Sequence, residues 1–322
     1  MTQRETKTLT PDNAGLACAV KVLASGGLVA FPTETVYGLG ADARNDRAVA
    51  GVFAAKGRPD FNPLIVHVAS VEAALQIGVF DHSALLLAEA FWPGPLTLVL
   101  PRTPDCPVHP LASAGLDTLA IRIPAHRLAQ NLLREFGRPV VAPSANPSGR
   151  LSPSQAGHVA AMLPDIPVLD GGDCAIGLES SIVGCLDTAP LWLRAGGLSR
   201  EAIEACLGET LDEVPETQDG EAKLAPGRLV RHYAPKAALR LNAETAQADE
   251  LLIGFGAKAP AICAANLSAK GDMAEAAAQL FSTLHALDAL AQTQGKRLAI
   301  MAIPEDGLGE AINDRLRRAA QS

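Results

Sequence analysis

Aromatic side chains are scarce in this chain of 322 residues: 4% in all, with 2 Trp, 2 Tyr and 8 Phe. Grooves that bind nucleic acid of any sequence rely on aromatic stacking platforms and positive charge, and the formal net charge is −8. Strong nucleic-acid binding is therefore not expected. A small anion remains possible, since two or three local cations suffice to hold one. No run approaches the roughly 18 uninterrupted apolar residues that a bilayer span needs, so no membrane segment is expected. The polar start MTQRETKTLTPDN lacks the apolar stretch of a secretory signal, and a cytoplasmic location is expected. The six cysteines (Cys18, Cys106, Cys174, Cys185, Cys206 and Cys263) form no CxxC pair. That argues against a zinc site and a disulfide scaffold and suggests small buried thiols.

Several common motifs are also missing. There is no GxxxxGK phosphate loop, no GxSxG, no HExxH and no EF-hand loop. Two GxGxxA strings occur, Gly38–Ala43 and Gly254–Ala259. A dinucleotide fingerprint must turn tightly from a strand into a helix. The first string lies beyond its strand with no helix opening inside it, and the second is stopped by Pro260. Both read as ordinary glycine turns, so a nicotinamide-dependent oxidoreductase is disfavoured.

What is present is a globular composition, 48% hydrophobic and 19% charged. The length suits two domains at roughly 100–200 residues each. Residues 209–221 carry six acids (Glu209, Asp212, Glu213, Glu216, Asp219, Glu221) and no base, followed by Lys223, Arg228 and Arg231 in the Pro- and Gly-punctuated LAPGRLVRHYAP. Such a stretch reads as an exposed linker. It divides the chain into a domain over 1–208, a linker over 209–235 and a smaller domain over 236–322.

Helical and extended patterns interleave in the first domain. A helix starts near Pro11-Asp12 and ends at Gly26-Gly27, and a second, capped by Asn45 or Asp46, ends near Lys56-Gly57. Further helices are expected at 82–91, 125–136, 154–162 and 199–207. Strands are expected at Leu28–Phe31, Leu64–Val68, Leu96–Leu100, Leu119–Ile123, Val140–Ala142, Ile182–Cys185 and Leu191–Leu193. Several connections are too short for parallel crossovers, which predicts a mixed sheet. The second domain reads as strands Leu251–Gly254, Ala261–Ala264 and Leu298–Ile303 with helices Met273–Leu290 and Gly309–Ala320, a small parallel α/β layer.

Three segments are unusually polar for their setting. FPTETVYGLGADA (31–43) offers Thr33, Glu34, Thr35 and Tyr37 after a buried strand; it reads equally as a ligand loop or as a turn with capping threonines. KGRPDFNPLIVHV (56–68) places Lys56 and Arg58 at a helix end, with Asn62 following and His67 on an apolar strand. The pair suits a phosphate clamp or a cationic helix C-terminus, and His67 is either a substrate-facing donor or a half-buried packing residue. VVAPSANPSGRLSP (140–153) runs from a strand into Ser144, Asn146, Ser148 and Ser152. No histidine–acid pair adjoins Ser144, so hydrogen-bonding to a ligand fits better than nucleophilic catalysis. Arg122, the pair Ser180-Ser181 and Arg194 are further strand-end candidates. Together these favour binding a phosphorylated anion over proton-shuttling hydrolysis.

With FPTETVYGLGADA, the Lys56-x-Arg58 pair with NPLIVH (62–67), WPGPLT (92–97), GLDTLAIRIPAH (115–126), APSANPSG, LESSIV (178–183), PGRLVRHYAP and PEDGLGEAINDRLRRA in order, nearly the whole chain resembles the threonylcarbamoyl-AMP synthase, YrdC-like family in its long two-domain form. The resemblance implies an α/β fold, a mixed twisted sheet around a large cavity followed by a smaller Rossmann-like domain. It implies a nucleotidyltransferase that joins L-threonine, bicarbonate and ATP, with Mg2+, into threonylcarbamoyladenylate and pyrophosphate. A tRNA threonylcarbamoyltransferase machinery would then accept the product. By resemblance, Lys56, Arg58, Asn62, Thr118, Ser144, Asn146, Ser152, Arg194, Arg231 and His232 would hold ATP, with Lys56 and Arg58 acting in catalysis. Thr35, His67, Arg122 and Ser181 would hold threonine or the bicarbonate-derived group. Arg231, His232 and Tyr233 would lie over the cavity mouth, making the linker a lid.

Overall fold

A computed structural model of the chain describes residues 7–58, 62–186, 189–214 and 233–321. The first part runs β1 (Thr8–Leu9), α1 (Asn13–Ala24), β2 (Val29–Phe31), β3 (Gly38–Asp42), α2 (Asp46–Lys56), β4 (Ile65–His67), α3 (Val71–Leu75), α4 (His82–Phe91) and β5 (Leu96–Pro101). It continues with β6 (Thr118–Arg122), α5 (Arg127–Phe136), β7 (Val140–Val141), α6 (Ala156–Met162), β8 (Val168–Leu169), β9 (Ser181–Gly184), β10 (Leu191–Arg194), α7 (Arg200–Leu207) and β11 (Asp212–Glu213). These strands form one sheet in the order β1-β8-β2-β3-β7-β4-β6-β5-β9-β10-β11. It is mixed, as the short connections require: β2–β3, β3–β7, β4–β7, β5–β6 and β9–β10 pair antiparallel, and β4–β6 and β5–β9 pair parallel.

Strand alternation decides which side chains share a face. Val66, Ile121 and Val141 enter the main core, where they meet the residues of α2, α4 and α7. Their neighbours project to the opposite face, which α1 and α5 cover only in part. There Leu16, Leu23, Leu128, Leu132 and Leu133 pack on Val29, Phe31 and Val140. Farther along that face lies a smaller apolar cluster, Ile65, Val99, Ala120, Ile182 and Leu193. Between the two clusters the strands carry His67 and Arg122, paired in register.

Three local features depart from the sequence expectations. Gly38–Ala43 is not a glycine turn, because Gly38–Asp42 is strand β3. A side chain at Gly40 would put its Cβ 2.8 Å from the Phe31 ring of β2, so glycine serves close strand packing here and not a reversed backbone. No strand forms over Ala261–Ala264. The amide of Cys263 turns back to the Pro260 carbonyl, and the strand begins at Ala265. The acidic stretch expected as a linker contributes β11, which pairs parallel with β10. Residues 215–232 of the linker, including Arg231 and His232, lie outside the described residues.

The second part contains β12 (Leu239–Arg240), β13 (Glu250–Gly254), β14 (Ala265–Asn266), α8 (Met273–Gln294), β15 (Arg297–Ile300) and α9 (Leu308–Ala320). Its strands make an all-parallel sheet, β12-β15-β13-β14, the small parallel layer expected. Leu280, Phe281 and Leu284 of α8 and Ile312 and Leu316 of α9 join the same continuous core as the first sheet. The backbones meet closely at Gly177, whose φ is +70°. A Cβ there would lie 2.5 Å from the Ala277 carbonyl of α8, so only glycine lets the helix dock. All six cysteines are unpaired; Cys174 and Cys185 are buried and the other four half-buried. Among the described residues no helix is long and apolar enough to cross a membrane.

Candidate active site

Helix α2 delivers the first two cations. Its N-terminus is capped by Asn45, whose side chain accepts from the amides of Arg47 and Ala48, and it ends at Gly57 in the left-handed conformation with φ 56°. Lys56 and Arg58 thus flank the reversal and both end up buried. The Lys56 ammonium donates to the carbonyls of Ser144 and Asn146, stitching α2 to the loop after β7. Arg58 donates from Nε to the Asn62 carbonyl at 3.1 Å and from Nη2 to the Pro63 carbonyl at 2.8 Å. That leaves Nη1 without a partner among the described residues.

Strands β4 and β6 supply the second group. Arg122 donates to the Thr35 hydroxyl at 2.8 Å, to Glu34 Oε1, and from Nε to the Gly94 carbonyl at 3.1 Å. The other Glu34 oxygen is buried with no partner among the described residues. Thr35 Oγ1 also shares a 2.7 Å hydrogen bond with Thr33 Oγ1. His67 lies edge-on to Phe31, and its Nδ1 is 3.3 Å from the Ile65 carbonyl. That bond requires the Nδ1–H tautomer, which makes Nε2 an acceptor.

The loop after β7 and strands β9 and β10 complete the site. Asn146 anchors the loop by donating to the Arg150 carbonyl at 2.8 Å, while its own oxygen is buried and unpartnered among the described residues. Arg194 donates from Nε and Nη2 to the Ser180 carbonyl at 3.1 and 2.8 Å. Ser180 in turn shares a 2.7 Å bond with Thr97. Tyr233, buried with φ 62°, packs against Phe281 of α8.

These groups converge on one narrow cleft, lined by polar and charged side chains beside a few apolar ones. Of the expected site residues, Thr35, Arg58, His67, Arg122, Ser144 and Arg194 line it, with Tyr233. Lys56 and Asn146 stand behind the wall, held to the Ser144 loop. Asn62 is fully buried, with both amide atoms unpartnered among the described residues. Ser152 is buried and donates to Glu179. Ser181 is not among the lining residues; its hydroxyl donates to the Leu198 carbonyl and accepts from the Leu198 amide at 3.0 Å. Thr118, at the far end of β6, shares a face with Arg122 but lies four residues away, roughly 13 Å along the strand. Arg231 and His232 lie outside the described residues. No motif in the sequence singles out Glu179 as a functional residue. Its only signal was an acid before the paired serines of LESSIV.

The electrostatics point to an anion. Burial pulls Lys56 well below the usual lysine range, and the neighbouring Arg58 adds to the shift. Burial, then Arg194, lowers Arg58 to about 9, so it stays charged at neutral pH. Burial also lowers Arg194, with Arg315 and Arg122 pulling the same way. Each is a buried cation crowded by others, and an incoming anion relieves both costs. Among the described residues no group of three or more His, Cys, Asp or Glu is placed to hold a metal ion.

His67 carries a measurable consequence. Burial, reinforced by Arg122, holds its ring neutral down to about pH 3. The unfolded chain protonates the same ring near 6.5, so the unfolded state binds more protons below that pH. Stability is therefore expected to fall between pH 6.5 and about 3, at no more than ~1.4 kcal/mol per pH unit from this group. Denaturant titrations should show the slope reduced in His67→Asn; an unchanged slope would refute the assignment.

Comparison with known proteins gives the chain a family. The Sua5–YciO–YrdC family, described as "Telomere recombination", matches residues 21–196, and "Threonylcarbamoyl-AMP synthase, C-terminal domain" matches residues 198–321. The chain is 38% identical to the threonylcarbamoyl-AMP synthase of Bacillus subtilis, covering 98% of this chain and 95% of that one. It is 40% identical to that of Pyrococcus abyssi, covering 94% and 93%. The crystal structure of P. abyssi Sua5 complexed with L-threonine superposes with a TM-score of 0.88 at 35% identity, covering 98% of this chain and 97% of that one. Two adjoining family matches, near-complete coverage and a shared fold lead to one conclusion: the chain belongs to the Sua5–YciO–YrdC family of threonylcarbamoyl-AMP synthases, in the form that carries the C-terminal domain.

Proposed function

We propose that this chain is an L-threonylcarbamoyladenylate synthase, which joins L-threonine, bicarbonate and ATP and releases pyrophosphate. Its product would feed a transferase that modifies the adenosine beside the anticodon of certain tRNAs. The observation that carries this reading is the convergence of three buried, mutually crowding cations, Lys56, Arg58 and Arg194, on one cleft and its wall. Beside them is a separate Arg122–Thr35–His67 group suited to an amino acid.

In this reading the threonine amine and bicarbonate form a carbamate with loss of water. A carbamate oxygen then attacks the α-phosphorus, and the bond to the bridging oxygen of pyrophosphate breaks. The attacking group is already an anion, so no protein nucleophile is needed; among the described residues the cleft has no serine paired with a histidine and an acid. The protein supplies position and charge neutralisation. Arg58, Arg194 and Ser144 would contact the nucleotide, and Lys56 would fix the Ser144–Asn146 backbone and add charge behind it. Among the described residues both amide atoms of Asn62 and the amide oxygen of Asn146 lack a partner, which supports a place for both at the nucleotide. Thr118 and Ser152 are assigned to ATP by resemblance alone, since Thr118 lies along β6 and Ser152 is taken up by Glu179. Arg122 would take the threonine carboxylate and the acceptor Nε2 of His67 its hydroxyl. Ser181, tied to Leu198, would shape this end of the site from behind. A magnesium ion would arrive as the counter-ion of the nucleotide. Residues 209–235, with Arg231 and His232, would close over the cleft as a lid joining domains 1–208 and 236–322, keeping water from the labile adenylate.

The test is pyrophosphate release with both co-substrates, with each omitted, and with serine in place of threonine. Release should require both, and threonine should exceed serine by about ten- to a hundredfold in kcat/KM, the range expected for one missing methyl group. Release that ignores threonine or bicarbonate would overturn the reading.

A further inference from the structure

Among the largest fully buried side chains is Arg315, on α9 of the C-terminal domain, at 1% exposure. Its Nε donates to Glu179 Oε2 at 3.0 Å and its Nη1 to the Ala195 carbonyl at 2.6 Å. Nη1 also reaches Asp314 at 3.1 Å, and the guanidinium carbon lies 5.3 Å from the centre of the Tyr233 ring. The other Glu179 oxygen accepts the Ser152 hydroxyl. Glu179 is the acid among the cleft-lining residues, and it shares that lining with Arg58 and Arg194.

An acid in that place is a physical problem. A buried carboxylate facing an anion site repels the ligand unless a cation neutralises it, and burial strengthens the repulsion. Arg58 and Arg194 lie on the same wall and would be drawn to Glu179 in place of the ligand. The geometry points to Arg315 as a positioning residue for the nucleotide: reaching across the domain boundary, it neutralises and orients Glu179, so that Glu179 holds Ser152 and does not compete with phosphate for Arg58. This gives the C-terminal domain a part in nucleotide binding that does not require it to touch the nucleotide. The inference rests on reading the cleft as the ATP site.

The test compares ATP KM, threonine KM and kcat in the full chain for Arg315→Met, Arg315→Lys and the double variant Glu179→Gln/Arg315→Met. Arg315→Met leaves Glu179 uncompensated and should raise the ATP KM about tenfold or more, with the threonine KM changed less than threefold. Arg315→Lys keeps the charge, and the double variant removes both charges; each should keep the ATP KM within about threefold of the unaltered chain. If Arg315→Met does not fold, these two variants decide the matter. A double variant or an Arg315→Lys with the ATP KM raised tenfold would overturn the proposal, as would an Arg315→Met with an unchanged one. If Arg315 merely joined the domains, both KM values would move together and neutralising Glu179 would restore neither. Calorimetric titration of the unaltered chain with ATP separates the two readings, because absence of binding there would sink the nucleotide site itself.

Discussion

Arg58→Ala is expected to lower threonine-dependent pyrophosphate release about a hundredfold, the largest catalytic effect of any single substitution in this cleft. Arg58 lines the cleft with Nη1 unpartnered among the described residues, while Nε and Nη2 are fixed on the Asn62 and Pro63 carbonyls. The guanidinium is therefore oriented before any ligand arrives, and little reorganisation is needed when charge builds on the departing pyrophosphate. A fixed cation in such a place contributes about 3 kcal/mol to the transition state, which is the hundredfold. Arg58→Lys keeps the charge without the two-point anchoring and should lose about tenfold. Lys56→Met offers a useful contrast, since Lys56 stands behind the wall and satisfies the Ser144 and Asn146 carbonyls. It should lose stability as well as rate, at about 1–3 kcal/mol for each buried carbonyl left without a donor. Single-turnover kinetics and denaturant melts of the three variants give the comparison; an Arg58→Ala variant within threefold of the unaltered rate would refute the clamp.

Arg122→Met is expected to have the largest effect on stability, about 3–5 kcal/mol, because it strands the buried Glu34 carboxylate. The pair is held by Arg122 Nη2 on Glu34 Oε1 with both side chains nearly inaccessible, and the second carboxylate oxygen already lacks a partner among the described residues. Neutralising the acid as well, in Glu34→Gln/Arg122→Met, should recover most of the stability. It should recover none of the activity, because the cation proposed for the threonine carboxylate is still missing. Chemical denaturation and threonine KM separate the two effects. A single variant as stable as the unaltered chain, or a double variant with full activity, would contradict this account.

Much of the local structure was legible because it depends on neighbours in sequence. The Asn45 cap and the left-handed Gly57 bound α2 with Lys56 and Arg58 at its end. The alternation Ile65-Val66-His67 puts a polar ring on the face opposite a core valine. The short links foretold a mixed sheet. β3 escaped notice because its glycines look like turn residues until Phe31 is seen packed upon them. Arg315 escaped notice inside the charged run RLRRA, although it falls between Ile312, Leu316 and Ala319 on the buried side of α9.

The amino-acid order alone determined which groups could carry the chemistry, because helix caps, strand periodicity and charged side chains at strand ends are properties of a few consecutive residues. Only the tertiary structure decided which of them meet. Glu34 and Arg122 are 88 positions apart, Lys56 and Ser144 also 88, and Arg315 and Glu179 136. Those pairings arise from sheet register and from the docking of one domain on another. Burial then sets the electrostatics, pulling down the pKa values of Lys56, Arg58 and Arg194, and no short stretch of sequence encodes burial.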